Sequence, residues 1–560
     1  MSRAKRLAGI VAGAALLGGL FVGLVGAQAP SHAALTGQVA SEAEGAMEGV
    51  LVGARKTGST VTTWVVSDAQ GQYSFPRNRM EPGRYAISIR AAGYELPGTS
   101  VDVAPQPTRL DLALKKVTTS RLAMQLSNTE WLNSVPGTPG QKVALAGCVN
   151  CHTLQRVMFS RFTAEEMAQV VQRMTRHTNN SSLLHPWMRP ADDFPHRPPS
   201  PGQIETGKYL SSINLSSKDT FDFPLKTLPR PTGKATQVIY TVYELPRPDA
   251  SPHDEVFDAD GNVWYSDFNS QFIGKLDPKT GKVVEYSVPQ SRLLQTAQGG
   301  LQIDLDKEGR IYFGNMFQMA LVRFDPKTEK METFKHPMAD STYGDGHLTM
   351  IDPAFQHVDG KLWVNVAYAT RTAGGTWQID LATNKWTRVT YPPGSPDARA
   401  YDVVADSKNN MYGMGMGNDK LWKTDGKTLQ TVWYDFPTKG PGCRRGHIDA
   451  QDRVWCGVFQ GNRVAMFDPR TEKITEWKVP TEWTRPYDAQ FDDKGYLWTA
   501  GMDNDLAVRL NVQTGEFTEY LLPGRTNARH VEVQKSGALS SMWLGDQHGN
   551  TIVRVEPLAP

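Results

Sequence analysis

Cys148-Val149-Asn150-Cys151-His152 sets two thiols two residues apart, with an imidazole directly after the second. This spacing is the attachment signature of a c-type haem. Each thiol adds to one vinyl group of the ring, and the adjoining imidazole sits beneath the iron as proximal ligand. A zinc half-site and a free redox Cys-x-x-Cys use the same pair of thiols. Zinc needs a second ligand pair, and the two remaining cysteines, Cys443 and Cys456, stand in a distant part of the chain. The cofactor expected is one covalent haem c on Cys148 and Cys151, with His152 on the iron.

A second set of chemically capable residues recurs at equivalent places of a C-terminal repeat: Pro252-His253-Asp254, Ala400-Tyr401-Asp402, Pro486-Tyr487-Asp488 and Arg529-His530, with Arg444 close to the same ring. Histidine and tyrosine shuttle protons, and arginine holds a carboxylate or phenolate. His253, Tyr401, Tyr487, His530 and Arg444 are therefore the candidate catalytic residues. The competing expectation is that His and Tyr fill a narrow channel while the Asp residues bond neighbouring backbone amides. Asp402 and Asp488 read as structural in this way. His347, after Tyr343-Gly344-Asp345-Gly346, is expected on a loop that covers the channel mouth.

Helices must carry the first motif. In residues 117–232, Ser127-Asn128-Thr129-Glu130 and Thr163-Ala164-Glu165-Glu166 have the form of helix starts, the second a capping box. Met167, Val170, Val171 and Met174 share one face of the helix that follows. Another helix is predicted to lead into Cys148, and a further one to run from Gly202 to Ile213, with Tyr209 and Leu210 inward. Three helices around Cys-x-x-Cys-His resemble a small class I cytochrome c domain. The resemblance implies a methionine as sixth iron ligand in the loop before the last helix, where Met188 stands. Met174 competes, although its place on the apolar stripe suits core packing, and His177, His185 or an open site are the remaining choices. The proline-rich stretch from Pro190 to Pro231 predicts a stiff junction.

Residues 1–33 read as an export signal: Arg3, Lys5 and Arg6, then an Ala/Gly/Leu/Val run, then Ser31-His32-Ala33 as a cleavage point, with an uncleaved anchor as alternative. The predicted location is the periplasm or another exported compartment, where haem is attached to apocytochromes. Residues 34–116 alternate apolar and polar positions between Asp/Gly turns, as in an all-β module. Their pattern, from Ser67-Asp68 through Tyr73-Ser74-Phe75 to Pro82-Gly83-Arg84-Tyr85-Ala86-Ile87-Ser88-Ile89, resembles a carboxypeptidase regulatory-like domain. That resemblance implies a prealbumin-like β-sandwich with a docking or spacing role.

From about Gln237 to Pro560 a unit of about 40–50 residues repeats, the mark of a propeller. Val263-Trp264-Tyr265, Ile311-Tyr312-Phe313, Leu362-Trp363-Val364, Met411-Tyr412-Gly413, Val454-Trp455-Cys456, Leu497-Trp498-Thr499 and Met542-Trp543-Leu544 mark its units, seven in all. The last unit lacks an outer strand, and Val238–Leu245 has that pattern ahead of the first, so it is predicted to close the ring. Cys443 and Cys456 flank one turn and are expected to form a disulfide. The repeat "PHD…DGNVWYSD…IGKLDPKTG…EYSVP" resembles the virginiamycin B (streptogramin) lyase family. The resemblance implies a seven-bladed propeller, a histidine base, and a magnesium ion held by glutamates near the second-strand ends. The corresponding positions here are Asp267, Asn315, Val366, Gly415, Val458, Gly501 and Asp546. None is glutamate, so neither a propeller metal at that place nor lyase activity is expected to carry over.

The fold class expected is mainly β and multidomain: a sandwich at 34–116, a helical haem segment at 117–232 and a propeller at 237–560. A formal charge of +2 with no long single-sign run argues against nucleic acid as partner. The leading functional expectation is a haem c oxidoreductase or electron-transfer protein working with a small organic substrate or a redox partner protein. Any substrate site would lie in the propeller, away from the haem motif. A metal-dependent lyase with an accessory haem, and a non-enzymatic binding or redox-sensing protein, are the alternatives.

Overall fold

In the computed structural model, described for residues 33–178, 180–187, 198–292, 297–340, 347–367, 374–396, 400–415, 419–440, 442–535 and 537–560, three units follow one another along the chain. The leader and Met188 lie outside the described residues. None of the described helices is long and apolar enough to cross a membrane.

The C-terminal unit is a ring of seven sheets. Six are four-stranded meanders: blade 1 from Pro252–Phe257 to Lys282–Ser287, blade 2 from Gly300–Leu305 to Lys330–Lys335, blade 3 from His347–Asp352 to Lys385–Arg388, blade 4 from Asp402–Ala405 to Thr431–Asp435, blade 5 from Cys443–Ile448 to Lys473–Lys478, and blade 6 from Pro486–Phe491 to Phe517–Leu521. Each inner strand packs on the next, and that of blade 7, Glu532–Gln534, returns to blade 1. Blade 7 continues through Ser541–Asp546 and Thr551–Pro557 and takes Val238–Glu244 as its outer strand, with Val238 opposite Pro557 and Glu244 opposite Thr551. Ring closure by the segment that precedes the first blade is thus observed.

An Asp six residues ahead of a buried Trp recurs in three blades for a physical reason. Asp258 accepts the amides of Asp260 and Asn262 at 3.0 and 2.9 Å, closing the turn, and its other oxygen accepts the indole N–H of Trp264 at 2.9 Å. Asp449 with Trp455 and Asp492 with Trp498 repeat the arrangement at 2.8 and 3.1 Å. One carboxylate thereby satisfies the turn and the polar edge of a fully buried ring.

The N-terminal module is built on Ala33–Ser41, Leu51–Lys56, Val61–Val66, Gln72–Pro76 and Gly83–Arg90, around Leu35, Val39, Val52, Phe75 and Tyr85. Its strand Val61–Val66 pairs antiparallel with the closing strand, Thr63 opposite Thr241. Blade 7 and half of the sandwich therefore form one eight-stranded sheet. Alternation along the closing strand serves both cores: Ile239 packs in the sandwich, Val238 and Tyr240 in the propeller. The Arg55–Glu244, Arg79–Glu556 and Arg90–Asp505 ion pairs, each 2.5 Å, flank the seam. This goes beyond the docking or spacing role expected of the module.

Between them lies the helical unit. Ser127, Thr138, Thr163 and Ser200 each close a capping box, starting helices Asn128–Ser134, Pro139–Ala146, Ala164–Met174 and Pro201–Ile213. Trp131, Leu132, Leu145, Val149, Met158, Leu210 and Ile213 form its core. The Met167–Met174 stripe departs from expectation. Met167 is buried, but Met174 is 41 % exposed, because the stripe faces a cavity instead of a packed neighbour.

Candidate functional site

The helix Pro139–Ala146 runs into a tight turn, Gly147–Asn150, that presents Cys148, Cys151 and His152 to a cavity of about 910 Å³. Asn128 holds the far side of the motif by accepting the Leu154 amide at 2.9 Å. The two thiols are not bonded to each other. Burial pushes the Cys148 thiol up to about 11 and raises that of Cys151. Reactive redox cysteines have the opposite character, a depressed pKa. His152 Nδ1 lies 2.9 Å from the Thr153 carbonyl, which can only accept. The proton is therefore on Nδ1 and Nε2 is left as a lone-pair donor, while burial lowers the pKa and keeps the ring neutral. The cavity is also lined by Met167, Val170, Val171 and Met174, and by Arg156 and Arg173. Two unpaired thiols, a tautomer-fixed imidazole, an apolar wall and nearby guanidinium groups for carboxylates fit a c-type haem, and the volume is that of a cofactor site.

The same cavity is bounded by Tyr401, Arg444 and Arg529 of the propeller. The haem motif and the channel residues, expected as separate sites, meet at one place. Backbone of the motif itself makes the junction. Asn527 Nδ2 and His548 Nε2 reach the Val149 carbonyl at 3.4 and 2.8 Å, and Arg529 donates to the Asn150 carbonyl. On the other flank Asn180 donates to the Gln298 carbonyl at 2.7 Å, and Trp187 Nε1 to the Asn269 carbonyl at 2.7 Å. His177 lines the cavity. His185 instead stacks on Trp187 at 4.7 Å and approaches Asp249 at 3.5 Å, so its ring is engaged with the propeller flank.

At the mouth the Tyr401 and Tyr487 hydroxyls are hydrogen-bonded to each other. The Arg444 guanidinium lies over Tyr401, Tyr487 and Phe459, at 5.2, 4.2 and 4.2 Å from the ring centroids. His253 sits beside this pair, its ring 6.5 Å from that of Tyr487 and 4.6 Å from Phe268. Its Nδ1 is bound by Asp254, and its Nε2 is buried without a hydrogen-bond partner. Burial pushes His253 down to about 4, outweighing Asp254. Asp254 is locked by Arg445 through two 2.6 Å bonds. Burial alone would raise the Asp254 pKa, but Arg445, His530 and His253 hold it well below the usual range.

His530 lies deeper than expected for a mouth residue. Its Nδ1 is 2.8 Å from Asp488 and 4.0 Å from Asp254, and its Nε2 is 3.2 Å from the Glu255 carbonyl. His447 approaches the same Asp488 oxygen at 3.1 Å. Burial opposes the charge on His530, yet Asp254 and Asp488 raise its pKa well above normal; His447 is raised by Asp488 in the same way. Asp402 and Asp488 also do what the repeated Tyr-Asp suggested. They accept the Gly446 and Val531 amides at 3.0 and 3.2 Å, stapling inner strands together. His347 is not on a covering loop: it opens the inner strand of blade 3, 4 % exposed, against Phe317 at 4.2 Å.

The positions that correspond to the lyase glutamates are occupied by other duties. Asp267 is paired with Arg247 and accepts the Asn269 amide at 3.1 Å. Asp546 accepts the Asn527 and His548 amides at 3.1 and 3.0 Å, and burial raises its pKa to about 7. Arg445 and His447, which no sequence reading selected, belong to the channel cluster. Their signal was present as the Arg-Arg-Gly-His run beside Arg444.

Residues 34–115 match the carboxypeptidase regulatory-like domain. No curated protein matches the chain. Among solved structures, a streptogramin B lyase is similar at 18 % identity and TM-score 0.49, over 58 % of this chain and 100 % of the other. An inactive virginiamycin B lyase from Staphylococcus aureus with quinupristin is similar at 17 % and 0.47, over 57 % and 99 %. The WD40 repeats of RRP9 are similar at 10 % and 0.44, over 56 % and 97 %. The chain thus joins a carboxypeptidase regulatory-like domain at residues 34–115 to a ring of seven sheets.

Proposed function

We propose that this protein is an exported c-type haem oxidoreductase or electron-transfer protein that takes a small organic donor at the propeller mouth, beside a class I cytochrome c-like segment. One observation carries the reading: Cys148, Cys151 and His152 line the same cavity as Tyr401, Arg444 and Arg529. Cys148 and Cys151 would hold a haem covalently and His152 would ligate its iron, and the group would supply a one-electron acceptor. The chain's own residues then bind and deprotonate the donor. Arg444 faces a carboxylate or phenolate, and the aromatic rings beneath it stack on a planar ring. The Tyr401–Tyr487 hydroxyl pair hydrogen-bonds a donor O–H, and neutral His253, its Nδ1 on Asp254, offers Nε2 as base. A phenol or hydroquinone that loses one proton and one electron per event matches a single acceptor; a redox partner protein removes the electron.

The test uses full-length protein from a host that attaches haem c. Covalent haem is expected in the wild type and lost in Cys148→Ala/Cys151→Ala. Mixing with a panel of phenols and hydroquinones should reduce the haem. Arg444→Ala should slow that reduction by about 100-fold, consistent with loss of a charged contact of about 2–3 kcal/mol, with the resting spectrum unchanged. Absence of covalent haem sinks the reading. Divalent-metal-dependent consumption of a substrate with no change at the haem supports the lyase alternative instead.

A further inference from the structure

His447, Asp488 and His530 converge inside the channel from blades 5 and 6 and from the segment entering blade 7. We propose that they form a site for one divalent transition-metal ion of the zinc, cobalt or iron(II) class, separate from the haem cavity and from the lyase-type positions.

The donor set comes first. Two imidazoles and one carboxylate suit borderline first-row metals, whereas magnesium and calcium favour all-oxygen sites. The three donor atoms lie within 4.8 Å of one another, and Asp488 Oδ2 is 2.8 Å from His530 Nδ1 and 3.1 Å from His447 Nε2.

Ring orientation is the second point. His530 Nε2 faces the Glu255 carbonyl at 3.2 Å; a carbonyl only accepts, so Nε2 carries a hydrogen. An imidazole N–H on a backbone carbonyl is the usual outer support of a metal-bound histidine. The side chain is 4 % exposed, and its Nδ1 lies 2.8 Å from Asp488 Oδ2. With a hydrogen on Nε2, Nδ1 is the ring atom available to a metal at that carboxylate. Gln490 Nε2, 3.2 Å from Glu532, lies 3.4 Å from Nδ1 of His447, a long contact that packs beside that ring without fixing its tautomer.

Charge is the third. Arg445 is committed to Asp254 through both of its terminal nitrogens. Asp488 and Glu532, the latter 3.7 Å from His530, set two carboxylates beside the two imidazoles, an arrangement that favours a cation. The His447 and Glu532 side chains are 25 % and 18 % exposed, which gives the ion a path in. Because its ligands come from three neighbouring blades, the ion would tie together the stretch of ring where closure takes place.

The full-length, haem-loaded protein is stripped with chelator and titrated separately with Zn²⁺ and Co²⁺. The expected result is one equivalent bound in addition to haem iron, a Co²⁺ absorption band typical of imidazole ligation, and a higher melting temperature with metal. His447→Ala, at the solvent-reachable ligand, and Asp488→Asn should each weaken binding by more than about 100-fold. If the stripped protein takes up no ion, the cluster is a proton-bridged ion-pair network and the proposal falls. Full-strength binding in a folded His447→Ala or His530→Ala protein overturns it as well, by placing the ion elsewhere.

Discussion

Glu255 and its neighbours show how single residues in a propeller channel acquire unusual chemistry. Burial pushes Glu255 up to about 8, Asp352 to about 8 and Asp546 to about 7, so these carboxyls fold in their neutral form. For an acid with a raised folded pKa, the folded state holds the proton that the unfolded chain has already released. Stability from this source is full below the unfolded value and declines as pH rises through the folded one. His253 has the opposite sign: lowered to about 4, it favours the fold above its unfolded value and is lost as pH falls. Above about pH 6.5 the His253 contribution is constant, and between about pH 6.5 and 8 the raised acids and the raised His447 and His530 all act in the same direction. Melting temperature should fall across that window. Glu255→Gln, which keeps the shape without the proton, should flatten the fall; an unchanged slope in scanning calorimetry would remove Glu255 as one of its sources.

At the scale of elements, blade 5 carries a covalent device. Cys443 and Cys456 are bonded, with their Cα atoms 6.1 Å apart. They are not directly opposite, as the turn between them suggested. Cys443 pairs with Val458 and Gly446 with Cys456, because the inner strand bulges between Cys443 and Gly446. Closing a loop of about this length is worth about 3 kcal/mol in the chain-entropy account. Cys443→Ser/Cys456→Ser should therefore lose about that much in denaturant unfolding, with no effect on covalent haem. The bulge also turns Arg444 toward the mouth and Arg445 toward Asp254, so adjacent residues serve two layers of the channel.

The whole molecule is held together by a shared strand. Val238–Glu244 seals the propeller on one side and pairs with the sandwich on the other. Thr63→Pro, in the middle of the sandwich strand, removes a ladder donor and clashes with the neighbouring chain, at a cost of about 3 kcal/mol. The expected result is a lower melting temperature and faster proteolytic release of a fragment near residues 34–116; an unchanged digestion pattern would show that the ion pairs alone hold the seam. The helical unit is sandwiched in turn. Thr129 donates to the Asp503 carbonyl at 3.1 Å, and Arg529 bonds the haem motif's backbone. This rigid docking brings Cys148–His152 to the channel mouth.

Much of this was legible in the chain itself, because it is local chemistry. Capping boxes start four of the described helices, each where Ser or Thr precedes Glu or Gln by three. An Asp six residues ahead of a buried Trp closes its own turn and satisfies its own indole in three blades; the recurring aromatic strand announces seven blades, and a missing outer strand announces its replacement. Cys-x-x-Cys-His raises the expectation of a covalent haem in five residues. What lay beyond reach depends on contacts between residues far apart in the chain. Met174 looked like core because its helix face is apolar; which neighbour that face meets is settled by packing, and here it meets a cavity. The sandwich's strand addition, the convergence of Arg445, His447 and His530 on two aspartates, and the meeting of the haem motif with Tyr401 and Arg444 arise only when the ring closes. Side-chain type is written in the sequence, but the partner that gives a buried charge its meaning is chosen by the tertiary fold.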